Sequence, residues 1–266
     1  MRFRITLKLT NNSKLPYNYN YKLSSGIYNL LRFGDVEFSN FLHDVGFTVN
    51  NKTYKLFTFS LRFKEYRNDN EGIILKDPTV YLLLSSPKID DFLKNILLAS
   101  FKEQKLILNF TTTGSHVFTI EQIEEIPTPK FRNEEYFTLI SPLVLSTMTE
   151  HKGKLSQYYL RYTDNIDLIN KILNSNLRNK YKLINNKNYS GKGVTLNWDK
   201  NFIEKRKHKS IIKKSTFNIK GNTIDIIGNL LPFTMKGDTE LMRVGYEAGF
   251  GEKNSMGFGM AKVLRN

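Results

Sequence analysis

Ile126-Pro127-Thr128-Pro129-Lys130 carries two prolines in three residues. The residue before a proline is pushed toward extended backbone, and the proline has no N–H for a sheet ladder. The stretch therefore reads as an extended connector, and it divides the 266 residues into an N-terminal domain, 1–128, and a C-terminal domain, 129–266. At roughly 150 residues per domain, the length suits two ordinary domains.

Working outward from the connector, the two sides show similar grammar. At the start of the chain Phe3, Ile5, Leu7 and Leu9 alternate with Arg2, Arg4, Thr6 and Lys8, the period-two pattern of a half-buried strand. Pro16 and the polar residues near Asn18 open a helix whose Ile27, Leu30 and Leu31 form one apolar stripe. Phe38, Phe41 and Leu42 repeat that spacing in a shorter helical piece, and Gly46 supplies its C-cap. Strands are expected at 56–61 and 73–84, then a helix through Ile89, Phe92, Leu93, Ile96 and Leu97, then strands at 105–110 and 116–126. Beyond the connector a strand near 137–146 and another at Tyr158 to Tyr162 precede a helix carrying Ile166, Ile169, Ile172, Leu173 and Leu177. A polar loop at 185–193, strands at 207–219 and 223–234, a short helix through Leu241, Val244 and Tyr246, a glycine-rich loop and a final strand complete the chain. The fold class is α+β, with helices packed on one face of each sheet.

Composition narrows the partners. Hydrophobic residues make up 40%, and 19 Phe and 14 Tyr provide ample core material, so the chain is not of the disordered class. The 40 Lys and Arg against 25 Asp and Glu leave a net charge of +15, which favours polyanions as partners. The absence of cysteine excludes disulfide frameworks, thiolate zinc sites, iron–sulfur clusters and a cysteine nucleophile, and suits an intracellular, cytoplasmic protein. The opening alternation is a strand and not a secretory h-region. No apolar run approaches the roughly 20 residues of a membrane span.

The densest local signal is Gly249-Phe250-Gly251-Glu252-Lys253-Asn254-Ser255-Met256-Gly257-Phe258-Gly259. Its glycines ask for positive φ or close backbone approach. It matches neither GxGxxG nor GxxxxGK[ST], and it runs helix, loop, strand, the reverse of a phosphate-binding P-loop. Backbone N–H groups here, with Lys253 and Asn254, suit contact with a polynucleotide backbone; a tight hairpin without a ligand is the alternative.

This Gly-Phe-Gly, five residues, Gly-Phe-Gly pattern resembles the glycine-rich loop of the CRISPR-associated endoribonucleases that cut precursor CRISPR RNA, members of the repeat-associated mysterious protein (RAMP) superfamily. Gly26-Ile27-Tyr28, Leu42-His43-Asp44-Val45-Gly46-Phe47, Tyr54-Lys55-Leu56-Phe57-Thr58-Phe59-Ser60, Ser141-Pro142-Leu143-Val144 and Asn176-Leu177-Arg178-Asn179-Lys180-Tyr181 are similar to further landmarks of that family. The resemblance implies two tandem ferredoxin-like (RRM-like) domains and metal-independent cleavage within CRISPR repeats by an RNA 2′-hydroxyl, leaving a 2′,3′-cyclic phosphate and a 5′-hydroxyl. It implies CRISPR repeat RNA as the partner, with no cofactor and no metal. The protein is then a monomer or homodimer; as a non-catalytic relative it would be a repeat-RNA-binding subunit beside other CRISPR effector proteins.

The resemblance also assigns roles. His43 becomes the proton-transfer residue, since imidazole exchanges protons near neutral pH; Tyr28 stands where relatives carry a tyrosine in the first helix. A lysine follows the histidine in such enzymes, a place that Lys52 or Lys55 fills. Lys52 is preferred because Lys55 opens an alternating strand whose register turns it elsewhere, and Lys55 is then left to bind RNA. Gly249, Gly251, Lys253, Asn254, Gly257 and Gly259 are the expected RNA contacts of the loop. Lys205, Arg206, Lys207 and Lys209 form a basic run that either grips RNA phosphates or is a solvated face. His116, His151 and His208 lack cysteine partners and metal-ligand spacing, and are expected on the surface or in loops.

Overall fold

The computed structural model describes residues 1–87, 105–110, 113–151, 153–206, 208–219 and 222–265. The chain forms two compact units, Met1–Pro127 and Thr128–Asn266. Among the described residues no helix is long and apolar enough to cross a membrane.

The first unit runs β1 (Arg2–Leu9), β2 (Lys14–Pro16), α1 (Tyr19–Gly34), α2 (Val36–Asn40), a π-helical turn (Phe41–Val45), β3 (Phe47–Val49), β4 (Lys52–Tyr54), β5 (Thr58–Phe63), β6 (Tyr66–Asn68), β7 (Gly72–Leu75), β8 (Thr79–Ser85), β9 (Lys105–Phe110) and β10 (Gly114–Ile126). Its main sheet has the order β5-β8-β1-β10-β9, antiparallel throughout. β1 lies at the centre, and its alternation becomes burial: Phe3, Ile5, Leu7 and Leu9 enter the core while Arg4 and Lys8 stay exposed. α1 has no side-chain N-cap. Burial of Leu23, Ile27, Leu30 and Leu31 holds it instead, at roughly 1.5–3 kcal/mol for each large apolar side chain. The expected strand at 73–84 is two strands, because Pro78 interrupts the ladder and the Asp77 carboxylate accepts from Thr79 N at 2.8 Å to turn the chain. The helix expected through Ile89 to Leu97 lies outside the described residues.

The second unit runs β11 (Glu134–Leu139), β12 (Ser146–His151), β13 (Lys154–Tyr159), α3 (Ile166–Asn185), β14 (Val194–Trp198), α4 (Lys200–Lys205), α5 (His208–Ile211), β15 (Ile212–Ile219), β16 (Asn222–Asn229), β17 (Phe233–Gly237), α6 (Thr239–Ala248), a 3-10 turn (Asn254–Met256) and β18 (Ala261–Val263). The main sheet has the order β14-β17-β11-β18, and β12–β13 and β15–β16 are separate hairpins. α3 is capped by Asn165, whose side chain accepts from Asp167 N and Leu168 N. It buries Ile169, Leu173 and Leu177.

Two asparagines of α3 also reach the outer strand of the sheet. Asn170 accepts from Leu196 N at 2.7 Å and donates to Leu196 O at 3.1 Å; Asn174 does the same with Val194 N and O at 2.9 and 2.6 Å. Three expectations change here. The strand expected near 137–146 is broken at Ser141-Pro142 into β11 and β12. The strand expected from 207 begins only at Ile212, after α4 and α5; Asp199 starts α4 by accepting from Phe202 N. The strand expected to reach 234 ends at Asn229, because Pro232 cannot donate to a ladder, and β17 joins a different sheet.

Candidate functional site

His43 stands in the π-helical turn that follows α2. Asp35 caps α2 by accepting from Phe38 N at 2.9 Å, and the turn closes with Gly46 N donating to Phe41 O at 2.6 Å. Such one-turn π segments are frequent at functional sites. Gly46, at φ +69°, ends the turn, and a Cβ there would lie 2.9 Å from both Tyr54 O and the Lys55 side chain. Glycine is what lets the Lys55 stem cross the turn.

Three of the expected residues come together. The Tyr28 and His43 rings meet edge to face, centroids 5.1 Å apart, and Tyr28 rests in turn on buried Phe57 at 5.7 Å. His43 Nδ1 lies 2.6 Å from Asp44 Oδ1. With Nδ1–H donating to the carboxylate, Nε2 is the nitrogen left for chemistry. Both side chains are about two-thirds exposed, 65% and 68%, so a large substrate has access. Lys55 Nζ donates to the His43 carbonyl at 2.7 Å. Partial burial pulls the Lys55 ammonium below its ordinary value, with Asp44 acting against that shift.

Lys55 does not open a strand. Leu56 has φ +53°, which breaks the backbone between β4 and β5, so Lys55 follows the turn geometry and reaches back to His43. Lys52 follows Asn50 and Asn51, both at positive φ, the signature of a tight hairpin turn. It is exposed, and among the described residues it makes no hydrogen bond or ion pair with His43, Tyr28 or Asp44. Asp44 was not singled out from the sequence as a site residue; its adjacency to His43 was the available signal.

The glycine-rich loop of the second unit is ordered by bonds within itself and to the Pro142–Val144 stretch. Gly249, Gly251, Gly257 and Gly259 all have positive φ, as does Lys253. Phe250 N donates to Gly259 O, Glu252 N to Val144 O and Gly259 N to Pro142 O, each at 2.8 Å. Phe250 and Phe258 are fully buried. Asn254, expected to face RNA, is instead 9% exposed; its Nδ2 donates to Phe250 O and Phe258 O at 3.2 and 3.0 Å. Lys253 is the exposed cation of the loop.

Lys180 of α3, for which the sequence suggested no role, is 1% exposed. Its Nζ donates to Gly249 O at 2.6 Å, Gly251 O at 2.8 Å and Asn254 Oδ1 at 2.7 Å. Its position one turn after Leu177, on the buried stripe of α3, was the signal that could have found it.

Of the basic run, Lys205 ends α4 and Arg206 follows it in extended backbone. Lys205 is exposed, and the Arg206 guanidinium lies 5.5 Å from the Phe202 ring centroid. Lys207 lies outside the described residues, and Lys209 falls within α5. Further on, Lys214 pairs with Asp225 at 2.8 Å across the β15–β16 hairpin. His208 is exposed and bonds Tyr162 OH through Nδ1 at 2.9 Å. His116 departs from expectation: it is fully buried in β10, with Nε2 2.7 Å from Lys14 O, because its place on the strand faces the core.

Residues 126–263 match the family model described as CRISPR associated protein Cas6, C-terminal. The chain belongs to the Cas6 family. Residues 14–111 match the Cas6 N-terminal model, so Tyr28, His43, Lys52 and Lys55 fall in one matched stretch, and Lys180 and the glycine-rich loop in the other. The CRISPR-associated endoribonuclease Cas6 1 of Methanocaldococcus jannaschii is 32% identical over 261 residues, covering 98% of this chain and 91% of its own. The CRISPR-associated endoribonuclease Cas6 of Pyrococcus furiosus is 30% identical over 264 residues, covering 95% of this chain and 85% of its own. A solved structure of a CRISPR associated protein Cas6 is similar with a TM-score of 0.75 at 30% identity, over 100% of this chain and 99% of that one.

Proposed function

We propose that the chain is a metal-independent endoribonuclease that cuts precursor CRISPR RNA within its repeats. The observation that carries this reading is the His43 geometry: an exposed imidazole oriented by Asp44 at 2.6 Å, backed by Tyr28 and bordered by Lys55. The names of the relatives at 32% and 30% identity support the substrate class. In the reaction the 2′-oxygen attacks the adjacent phosphorus and loses its proton, the bond from phosphorus to the 5′-oxygen breaks, and that oxygen takes up a proton. The products are a 2′,3′-cyclic phosphate and a 5′-hydroxyl. The nucleophile belongs to the RNA, so no metal-activated water enters the scheme. His43 Nε2 transfers a proton, Tyr28 orients the ring, and Lys55 or Lys52 offsets charge on the pentacoordinate phosphate.

The second unit supplies RNA contacts. Lys253, with Lys205, Arg206, Lys207 and Lys209, provides cations for the phosphate backbone. We read both units as ferredoxin-like domains. In support, β11-α3-β14-β17-α6-β18 follows a strand-helix-strand-strand-helix-strand order in a sheet arranged β14-β17-β11-β18, and β5-β8-β1-β10 repeats that arrangement in the first unit.

The test is incubation of the purified protein with its repeat RNA in excess EDTA, beside His43→Ala and a substrate with 2′-deoxy at the cut. Cleavage by the wild type alone, blocked by both changes, is the expected result; His43→Ala is expected to lower the rate by roughly 10²–10⁴. Cleavage of the 2′-deoxy RNA, or loss of activity on chelation, contradicts the mechanism. Tight binding with no cleavage under any condition makes the protein a non-catalytic repeat-RNA-binding subunit instead.

A further inference from the structure

Lys180 is almost completely withdrawn from water, and its three hydrogen-bond acceptors all belong to the glycine-rich loop. An ammonium has three N–H donors, and here Gly249 O, Gly251 O and Asn254 Oδ1 take all of them. Among the described residues no carboxylate pairs with it. Glu252, held by Ser146 Oγ at 2.6 Å, is the charged group that acts on it from further away.

Stability alone does not explain this arrangement. A buried charge is expensive, and an apolar side chain of similar volume in its place is often neutral or stabilising. The neighbours of Lys180 on the helix, Leu177 and Tyr181, are buried core residues, so a methionine suits the site sterically. What an apolar residue cannot do is fix the direction of two carbonyls and one amide. Those groups set the loop: Gly249 and Gly251 flank the anchor Phe250, and Asn254 passes the constraint on to Phe250 O and Phe258 O. Lys253 sits between these pinned points, in a left-handed conformation and exposed.

We propose that Lys180 is a positioning residue for RNA recognition: by bonding Gly249, Gly251 and Asn254 it fixes the loop in the conformation that presents Lys253 to the RNA backbone. This rests on the reading of the loop as an RNA contact. A loop released from Lys180 must be ordered again when RNA binds, and that cost weakens binding. Burial pulls the Lys180 ammonium down, against Glu252, so the charged form that donates all three bonds is held by its acceptors in the loop.

The experiment compares wild type, Lys180→Met and Lys253→Ala. Trp198 fluorescence reports folding of the second unit, labelled repeat RNA gives the dissociation constant and KM, and amide exchange follows residues 250, 252 and 259. Lys180→Met is expected to raise Kd and KM about tenfold, with the loss in KM and not in kcat, and to release those amides. If Lys253→Ala weakens binding and Lys180→Met does not, the Lys180 proposal fails while the loop reading stands. If Lys253→Ala leaves binding unchanged, the loop reading itself fails. Should Lys180→Met not fold, Lys180→Gln, which keeps two N–H donors, decides: a rise in Kd and faster exchange of the three amides support the proposal, and wild-type values for both overturn it.

Discussion

Gly259 and Gly153 share a backbone angle, φ +73°, and differ in surroundings. A Cβ on Gly153 meets nothing within 4 Å, whereas one on Gly259 falls 2.0 Å from Phe250 O and 2.7 Å from Asn254 Nδ2. Replacement by alanine charges both sites the left-handed penalty of about 1–2 kcal/mol, partly offset by about 0.4–1 kcal/mol from the stiffer unfolded chain. Gly153→Ala is therefore expected to cost about 1 kcal/mol or less. At Gly259 the obstacle is a backbone carbonyl, which cannot swing aside as a side chain does. The loop must part, and the bonds from Phe250 N to Gly259 O and from Gly259 N to Pro142 O are strained or lost at about 1 kcal/mol each, with overpacking of about 1–3 kcal/mol added. The total is about 3–6 kcal/mol. Urea unfolding followed by fluorescence measures it cleanly, because the single tryptophan is Trp198, in β14 of the same unit. Equal losses for the two variants, at unchanged m, refute the idea that closure of the loop on its own backbone holds it in place.

Asp44→Asn is expected to slow single-turnover cleavage by less than about tenfold, since exposed ion pairs contribute roughly 0.2–1 kcal/mol; a loss matching His43→Ala gives Asp44 a larger role than orientation. Lys55→Ala is expected to lower the saturating cleavage rate by about 10²-fold, the scale for one transition-state donor, and Lys52→Ala to change mainly affinity and its salt dependence; the reverse ranking makes Lys52 the catalytic lysine. Desolvation and the Asp199 carboxylate push the Tyr136 phenol up to about 12 from its ordinary 10.0. A folded value above the unfolded one means stability that is present below pH 10 and lost as pH rises through 12, so urea midpoints are expected to fall across that window in wild type and less in Tyr136→Phe.

Much of this arrangement was legible where burial follows period. β1 is half-buried, so its alternation survived into the structure, and the stripe of Ile27, Leu30 and Leu31 marked the core face of α1. Continuous β-branched or aromatic runs misled at Pro78 and Pro232, where missing donors cut strands that composition alone would join. β14 was overlooked between polar segments, although Val194, Leu196 and Trp198 alternate as buried positions. At the candidate site the family resemblance pointed to Tyr28 and His43, which the structure brings into ring contact. The strand expected to open at Lys55 is absent because no propensity foretells a leucine at positive φ beside it. Lys180 was passed over because lysine in a helix ordinarily faces water; only its phase on the stripe set by Leu173 and Leu177 gave it away.

The paired amides of Asn170 and Asn174 carry a consequence for how the protein behaves in a crowded solution. An outer strand offers unpaired N–H and C=O groups to any other extended chain, and thereby a template for aggregation. On β14, the groups of Val194 and Leu196 are already occupied by side chains of the protein's own helix. An incoming strand has to displace two amides before gaining any bond at these residues. Leucine at either position raises helix propensity and yet removes that barrier, so a sequence optimised for a better helix would leave the sheet with an adhesive border.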